Sequence, residues 1–495
     1  MALGFALNYW PFGFNLGVDG RGTADPPTSE NPVSEHDPSS TNDLDRRQLL
    51  KAGAAGLGAA MLGMGSTGSA RAAAAQVPRQ VGQAPAEPFS TPPMDVVRVG
   101  YVGVGLQGSA HCRNLLRIEG VELKAVCDIV PERVTQIQDR AVEAGQSRPT
   151  GYDRGAWDFV RMCEEEELDL VYTATPWEWH VPVCVTAMEN GKHAATEVPA
   201  AYTIEDCWRL VESAERHQKH CVMMENVNYG EWESMVLSMV RKGAFGEILH
   251  GEGGYLHDLR EIKFGSDNEG LWRRNHAWAR NGNLYPTHGL GPIAQCMDIN
   301  RGDRFEYLVS MSGPSRGLQA FAREHFPEGA PQRYERFALG DVNVSLIKTA
   351  KGRTIYVSHD TNLPRPYSRI HLLQGTRGLF QGYPNRVYIE GRSPNHQWEE
   401  AQAYMAEFEH PLWKDIKAQA QGAGHGGMDF LEDYRLIKCL REGLPTDMNV
   451  YDAAAISAVC GLSEQSVASG SAPAAFPDFT RGRWETYPQL DLVRA

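Results

Sequence analysis

Four short stretches in the second half of this sequence concentrate side chains that can bind polar ligands and move protons. They are YLHDLR (255–260), LWRRNHAW (271–278), NLYPTHGLGP (283–292) and LPRPYSR (363–369). Aromatic rings suit the apolar C–H face of a sugar, and arginine and histidine suit its hydroxyl edges. Some of these aromatics fit a packed core, Trp278 and Tyr255 first among them, but a core explains Arg273, Arg274 and His288 poorly. A neutral histidine such as His288 can accept a proton near pH 7 without tuning. A tyrosine base would need its pKa lowered by a nearby cation.

A different chemistry is written in VRVGYVGVGLQGSAH (97–111). Gly103, Gly105 and Gly108 form G-x-G-x-x-G between a strand pattern and a helix pattern. The first glycine allows the tight turn, the second lets backbone approach a pyrophosphate, and the third lets helix pack on strand. Asp128 follows 20 residues after Gly108, where a carboxylate binds a ribose diol and repels a 2′-phosphate. Together these predict NAD as cofactor. Further polar residues close the later strands: Trp177, Trp179 and His180 in ATPWEWHVP, Glu197 in TEVPAA, and Asn226 and Tyr229 in MENVNYG. In an open parallel sheet those strand ends form one ligand-binding rim. His425 in GAGHGGMD lies in a glycine-rich turn that could cap the pocket.

The elements that must position these residues follow from periodicity. Strand-like runs at 96–103, 121–128, 168–176, 192–199 and 221–229 alternate with helical patterns, predicting a doubly wound parallel sheet. From about 246 the runs lengthen and partly alternate, at 246–260, 306–313, 342–364 and 368–391, with turns at Lys351-Gly352 and Thr376–Gly378. The fold class is therefore α/β: a Rossmann domain followed by an α+β domain with a large, mostly antiparallel open sheet. The expected organisation is a leader over 1–75, a linker over 76–94, an NAD-binding domain over 95–228 and a substrate domain over 229–485.

The leader carries DRRQLLK (45–51), an apolar stretch of small residues and Ala70-Arg71-Ala72, the pattern of a twin-arginine export signal with a cleavage site. Its apolar part is too short to span a bilayer stably. Formal charge is −14, of which the first 74 residues contribute −2. An acidic body without a basic run argues against nucleic acid and anionic membranes as partners. The nine cysteines are odd in number and lack C-x-x-C spacing, so they are expected as buried thiols. No G-x-S-x-G elbow, H-E-x-x-H or P-loop is present, and no metal is expected. The sequence does not fix the oligomeric state; a homo-oligomer is compatible with it.

The glycine fingerprint, the strand-end E-V-P and the second domain resemble the glucose–fructose oxidoreductase/inositol dehydrogenase family. Dehydrogenases of that family carry E-K-P, whose lysine assists hydroxyl deprotonation; here Val198 stands in its place and can relay no proton. Longer strings, among them ATPWEWHVPV, VRKGAFGEILHGEGGYLHDLR, GNLYPTHGLGPIAQCMDINRGDRFEYLVSM and GHGGMDF, resemble glycoside hydrolase family 109, the NAD-dependent α-N-acetylgalactosaminidases. The resemblance covers roughly 96–485. It implies NAD contacts from Leu106, Gln107, Asp128, Trp177, Glu178, Trp179, His180, Glu197, Val198 and Asn226. It implies sugar contacts from Tyr255, Arg274, Tyr285, Pro286, Thr287, His288 and Tyr367. The expected reaction releases terminal α-N-acetylgalactosamine by oxidation at C3, elimination, water addition and re-reduction. His288 is expected as base at the C3 hydroxyl and Tyr229 at C2, with Tyr285 or His180 as alternatives. An exported sugar oxidoreductase and a non-catalytic sugar-binding protein are the competing readings.

Overall fold

The computed structural model describes residues 91–490 and 492, apart from 267 and 268. The expected export signal and most of the expected linker lie outside the described residues.

The chain enters through β1 (Val97–Val102), α1 (Leu106–Leu115), β2 (Val121–Cys127), α2 (Pro131–Glu143), β3 (Thr150–Tyr152), α3 (Asp158–Glu165), β4 (Leu170–Thr173), α4 (Trp177–Glu189), β5 (His193–Thr196), α5 (Ile204–His217) and β6 (Cys221–Met223). The strands form one six-stranded parallel sheet in the order β3-β2-β1-β4-β5-β6. The order reverses beside β1, which puts a crevice at the carboxyl ends of β1 and β4. Every residue of β4 and β5 is buried, as expected for strands covered by helices on both faces. β6 is shorter than the predicted 221–229, because the Glu225 side chain accepts the Val227 N–H and starts a 3₁₀ turn over Asn226–Tyr229.

The second domain begins with α6 (Glu231–Arg241) and β7 (Ile248–Leu256), followed by α7 (Arg260–Phe264), α8 (Gly270–Ala279) and α9 (Thr287–Cys296). Then come β8 (Phe305–Ser312), α10 (Gly317–His325), β9 (Val342–Thr349), β10 (Thr354–Asp360), β11 (Leu372–Gly375), β12 (Gly378–Gln381), β13 (Arg386–Ile389) and β14 (Glu399–Glu400). Helices α11 (Met405–Phe408), α12 (Pro411–Ala420), α13 (Met428–Glu442) and α14 (Val450–Ala468) precede the short β15 (Ala474–Ala475). The sheet order is β14-β13-β12-β11-β7-β10-β9-β8-β15. All pairings are antiparallel except β10 with β7, so the sheet is mixed but mostly antiparallel.

Alternation along β9 marks one covered and one open face. Helix α9 covers β7 on the inner face, and α14 packs on both β8 and α5, so one helix serves both domains. Asn449 starts α14 through a capping box with Asp452. All nine cysteines are free and buried, as the sequence predicts. Among the described residues, no helix is long and apolar enough to cross a membrane.

Candidate active site

The glycine loop is a backbone cradle. Gly103 has φ +81°, and a Cβ there would meet Thr175 at 2.8 Å and Ala174 at 3.0 Å. A Cβ on Gly108 would fall 1.9 Å from the Gly103 carbonyl oxygen, so α1 can approach β1 only with glycine at both positions. Gly105 caps α1 without a side-chain bond, which leaves the first-turn N–H groups open to an anion. Asp128 is buried at the end of β2, where its oxygens accept the N–H groups of Val104 (2.8 Å) and Val130 (2.9 Å). The loop thus aims the carboxylate that a ribose diol would meet. This donor set fits a dinucleotide, with Leu106, 66 % exposed, on the rim.

The other half of the crevice is polar and tightly wired. His111, fully buried in α1, faces Asp433 through Nδ1 (2.8 Å) and Glu197 through Nε2 (2.8 Å). Burial opposes its charge, but Asp433 and Glu197 hold its pKa well above the usual histidine value. Asp429 accepts from Asn226 (2.7 Å) and Gln107 (3.3 Å) and pairs with His425 (2.8 Å). Burial would raise the Asp429 carboxyl, yet His425 and His111 bring it down to about 2. Glu432 is buried beside them, 3.9 Å from His111 Nε2, and burial pushes its carboxyl well above the usual carboxylate range. Glu197 and Asn226, predicted from two strand ends, and Gln107, implied by the resemblance, therefore meet in one network. Val198 is buried next to them. His425 belongs to the same rim through Asp429.

Of the WEWH stretch, Trp177 lies against Trp272 (ring centroids 5.0 Å), His276 (4.7 Å) and Tyr285 (5.9 Å), joining the two domains. Glu178 lies 3.8 Å from His276, and Trp179 packs edge-on against Trp157 at 5.0 Å. His180 is buried with Nδ1 at the Pro199 carbonyl and Nε2 at the Thr175 carbonyl, both at 2.9 Å. Both nitrogens are engaged with backbone, which corrects the expectation that His180 could serve as a base.

The face expected to meet a sugar is built by close packing of α9 on β7. A Cβ on Gly253 would lie 2.2 Å from the Gly289 carbonyl oxygen, and one on Gly289 would lie 2.2 Å from the Gly254 nitrogen. Backbone contact at these glycines sets His288, in the first turn of α9, beside Tyr255 at the end of β7 (5.4 Å). Tyr285 completes the cluster, 4.4 Å from Tyr255 and 4.9 Å from His288. Pro286 caps α9 and Thr287 is buried at its first position. Tyr367 stands 6.1 Å from Tyr255. His288 Nδ1 donates to Glu225 Oε1 at 2.7 Å; Glu225 is fully buried. A carboxylate at Nδ1 fixes the proton there and leaves Nε2 as the basic nitrogen.

Two expectations need correction. The Tyr229 hydroxyl donates to Asp447 (3.1 Å), itself paired with Arg435 (2.8 Å), and burial followed by Asp447 pushes its pKa well up. Tyr229 therefore faces a buried ion pair and not the Tyr255–Tyr285–His288 cluster. Arg274 points to Phe264 (5.3 Å), Trp278 (5.4 Å) and Glu335 (3.7 Å). Its neighbour Arg273 stacks on Trp272 (4.6 Å), Trp177 (5.4 Å) and Tyr285 (5.5 Å). One residue along a helix turns a side chain about 100°, and that turn decides which arginine meets the aromatics.

Besides His111, Glu432 and Asp433, the sequence reading missed Glu225, His257, Lys263 and Asp429. Glu225 immediately precedes Asn226, but nothing in its spacing points to His288. His257 bonds the Tyr255 hydroxyl at 3.0 Å. Lys263 lines a small cavity with Trp177, Tyr255, Arg273 and Tyr285, bonded to Thr361 (2.7 Å) and Asn362 (2.6 Å), its pKa lowered by burial to about 7. Asp429 sits on a helix whose acids look like a solvated face. Glu225, His257 and Asp429 lie inside the stretches MENVNYG, YLHDLR and GAGHGGMD, and that membership was the only available signal.

Comparison with known proteins agrees with this architecture. The profile of the oxidoreductase family with an NAD-binding Rossmann fold matches residues 97–225, and that of the glycosyl hydrolase 109 C-terminal domain matches 229–486. A glycosyl hydrolase family 109 protein of Shewanella putrefaciens is 50 % identical over 411 residues, covering 82 % of this chain and 89 % of the relative. One from Shewanella pealeana is 46 % identical over 458 residues, covering 91 % and 99 %. Among solved structures, levoglucosan dehydrogenase in complex with NADH and L-sorbose superposes with a TM-score of 0.61 at 19 % identity, covering 78 % of this chain and all of that one. The WlbA dehydrogenase of Bordetella pertussis, in complex with NADH and UDP-GlcNAcA, gives 0.56 at 16 %, covering 78 % and 99 %. At such identities the structural likeness speaks for the fold.

Proposed function

The chain belongs to glycosyl hydrolase family 109, and we propose that it removes terminal α-linked N-acetylgalactosamine from glycosides in a cycle that leaves its NAD unchanged. The observation that carries this reading is the meeting of a dinucleotide cradle with a tyrosine–histidine sugar face across one crevice, with an aliphatic residue, Val198, next to Glu197. When bound, NAD supplies reversible hydride exchange at C3 of the sugar. Gly103, Gly105 and Gly108 would hold its pyrophosphate and Asp128 its adenosine ribose, and Gln107, Glu197 and Asn226 would border the other half.

His288 takes the proton of the C3 hydroxyl on Nε2, oriented by Glu225, and returns it when the hydroxyl reforms. With C3 at the ketone level, C2–H becomes acidic, which no side chain could achieve on the unmodified sugar. Tyr285 is the group placed to return the C2 proton, since Tyr229 and His180 are committed elsewhere; it can remove that proton only as the phenolate. Burial, reinforced by Tyr255, keeps the Tyr285 hydroxyl protonated in the free protein; Arg273 acts in the opposite direction, favouring the phenolate. Loss of the C1 substituent by elimination, addition of water at C1 and return of a proton to C2 give the 3-keto sugar, and hydrolysis is complete once C3 is restored to the alcohol.

A redox-neutral cycle also fits export by the twin-arginine route: a nucleotide loaded before export would suffice for many turnovers. The test is hydrolysis of 4-nitrophenyl α-N-acetylgalactosaminide in D₂O by purified holoenzyme. Nitrophenol release with deuterium at C2 and no net NADH is expected. Oxidised sugar with accumulating NADH would establish the oxidoreductase alternative instead. Full activity after removal of the nucleotide would overturn the cycle.

A further inference from the structure

The aromatic row does not stop at the reaction cluster. Tyr285 and Tyr255 are 7 % and 6 % exposed, whereas Tyr367 is 36 % and Tyr383 41 % exposed. The row continues outward, with 6.1 Å between the rings of Tyr255 and Tyr367 and 6.4 Å between those of Tyr367 and Tyr383. Arg369 serves both outer rings, its guanidinium 5.6 Å from Tyr367 and 5.7 Å from Tyr383. We propose that Arg369 and Tyr383, outward of Tyr367, form a subsite for a neutral sugar unit on the leaving-group side of the scissile bond. This assignment rests on the glycosidase reading and narrows its substrate class to oligosaccharides.

Charge selects the occupant. Arg369 Nη2 donates to the buried Glu233 at 2.8 Å, so the guanidinium is already neutralised and has little net attraction for an anionic ligand. Among the described residues its Nη1 bonds the Tyr367 hydroxyl, at 3.4 Å, a long bond that a sugar hydroxyl can improve on. The exposed face of Tyr383 matches the C–H face of a pyranose ring.

The platform is fixed in place. Ser368 exchanges backbone bonds with Leu256, the residue after Tyr255, at 2.9 and 3.1 Å, and the Gly382 N–H donates to the His371 carbonyl at 2.9 Å. Ile370 (φ +64°), His371 (+49°) and Tyr383 (+55°) all adopt left-handed backbone, which is unfavourable for such side chains, Ile370 above all. Strain retained at several ordered positions of one segment marks a surface whose shape matters.

The experiment compares wild type, Tyr383→Asn and Tyr383→Phe on two substrates: methyl α-N-acetylgalactosaminide, and a disaccharide with the same sugar α-linked to galactose. Asparagine tolerates the left-handed backbone, which keeps the fold. Tyr383→Asn should lower kcat/KM for the disaccharide by about tenfold, chiefly through KM, the size of one lost ring contact, and change the methyl glycoside less than about twofold. Tyr383→Phe should retain most of the disaccharide preference. Equal losses on both substrates, or no loss on either, overturn the subsite. A wild-type enzyme that cleaves neither substrate would instead overturn the glycosidase reading, and the subsite with it.

Discussion

In the proposed function the two sides of the crevice offer their ligands different kinds of surface. On the cofactor side, glycines remove side chains so that backbone and a helix start can meet the ligand, and one acid, Asp128, is aimed by the loop's own N–H groups. On the sugar side, backbone-to-backbone contact at Gly253 and Gly289 does the positioning, and Tyr255, Tyr285, His288 and Arg273 make the surface. A cradle of backbone fails by steric intrusion and loses its cofactor. A surface of side chains fails group by group and keeps it.

The largest effect is expected from Gly108→Ala, because its methyl would occupy the space of the Gly103 carbonyl. Nucleotide released by denaturing the purified variant should fall below about a tenth of the wild-type content, with activity lost in step. Retained nucleotide would show that the loop yields and that the cradle is not steric. His288→Ala should keep its nucleotide while kcat falls by about 10²–10⁴, the range of a lost general base. Glu225→Gln, which leaves the imidazole without its orienting carboxylate, should lower kcat by up to about 10⁴-fold in the same steady-state assay. If either variant lost NAD as well, the division between the two sides would be wrong.

The smallest effect concerns pH. Asp429 has its folded pKa brought down to about 2, below the ordinary aspartate value. Its contribution to stability is therefore complete above about pH 4 and is lost as pH falls through 2, amounting to about 2 kcal/mol. Chemical denaturation at pH 5 and pH 2.5 should show a smaller acid loss in Asp429→Asn than in wild type. Equal losses would place the acid sensitivity of the crevice elsewhere in the network.

How much of this was legible beforehand differs between the same two regions. The glycine spacing, the strand before it and Asp128 after it are local in sequence, so the cofactor side could be read almost residue by residue. The sugar-side aromatics were visible as a group, but their directions were not. Arg273 and Arg274 are neighbours with equal chemistry, and only the rotation of α8 against Trp177 and Tyr285 separates them. Tyr229 sits at a strand end like Asn226, yet its hydroxyl turns to Asp447, more than two hundred residues away. The 3₁₀ turn that shortens β6 is also what brings Glu225 to His288.

The sequence by itself determined the parallel and mostly antiparallel sheets, the dinucleotide loop and the residue types offered to a sugar, because periodicity, glycine and turn chemistry act over a few neighbouring positions. Only the tertiary structure decided which histidine is free to act, which arginine faces the aromatics, and that His111, Glu197 and Asp433 share one buried network. Those outcomes depend on partners far apart along the chain, and on burial, which sets whether a side chain there can carry a charge or a proton.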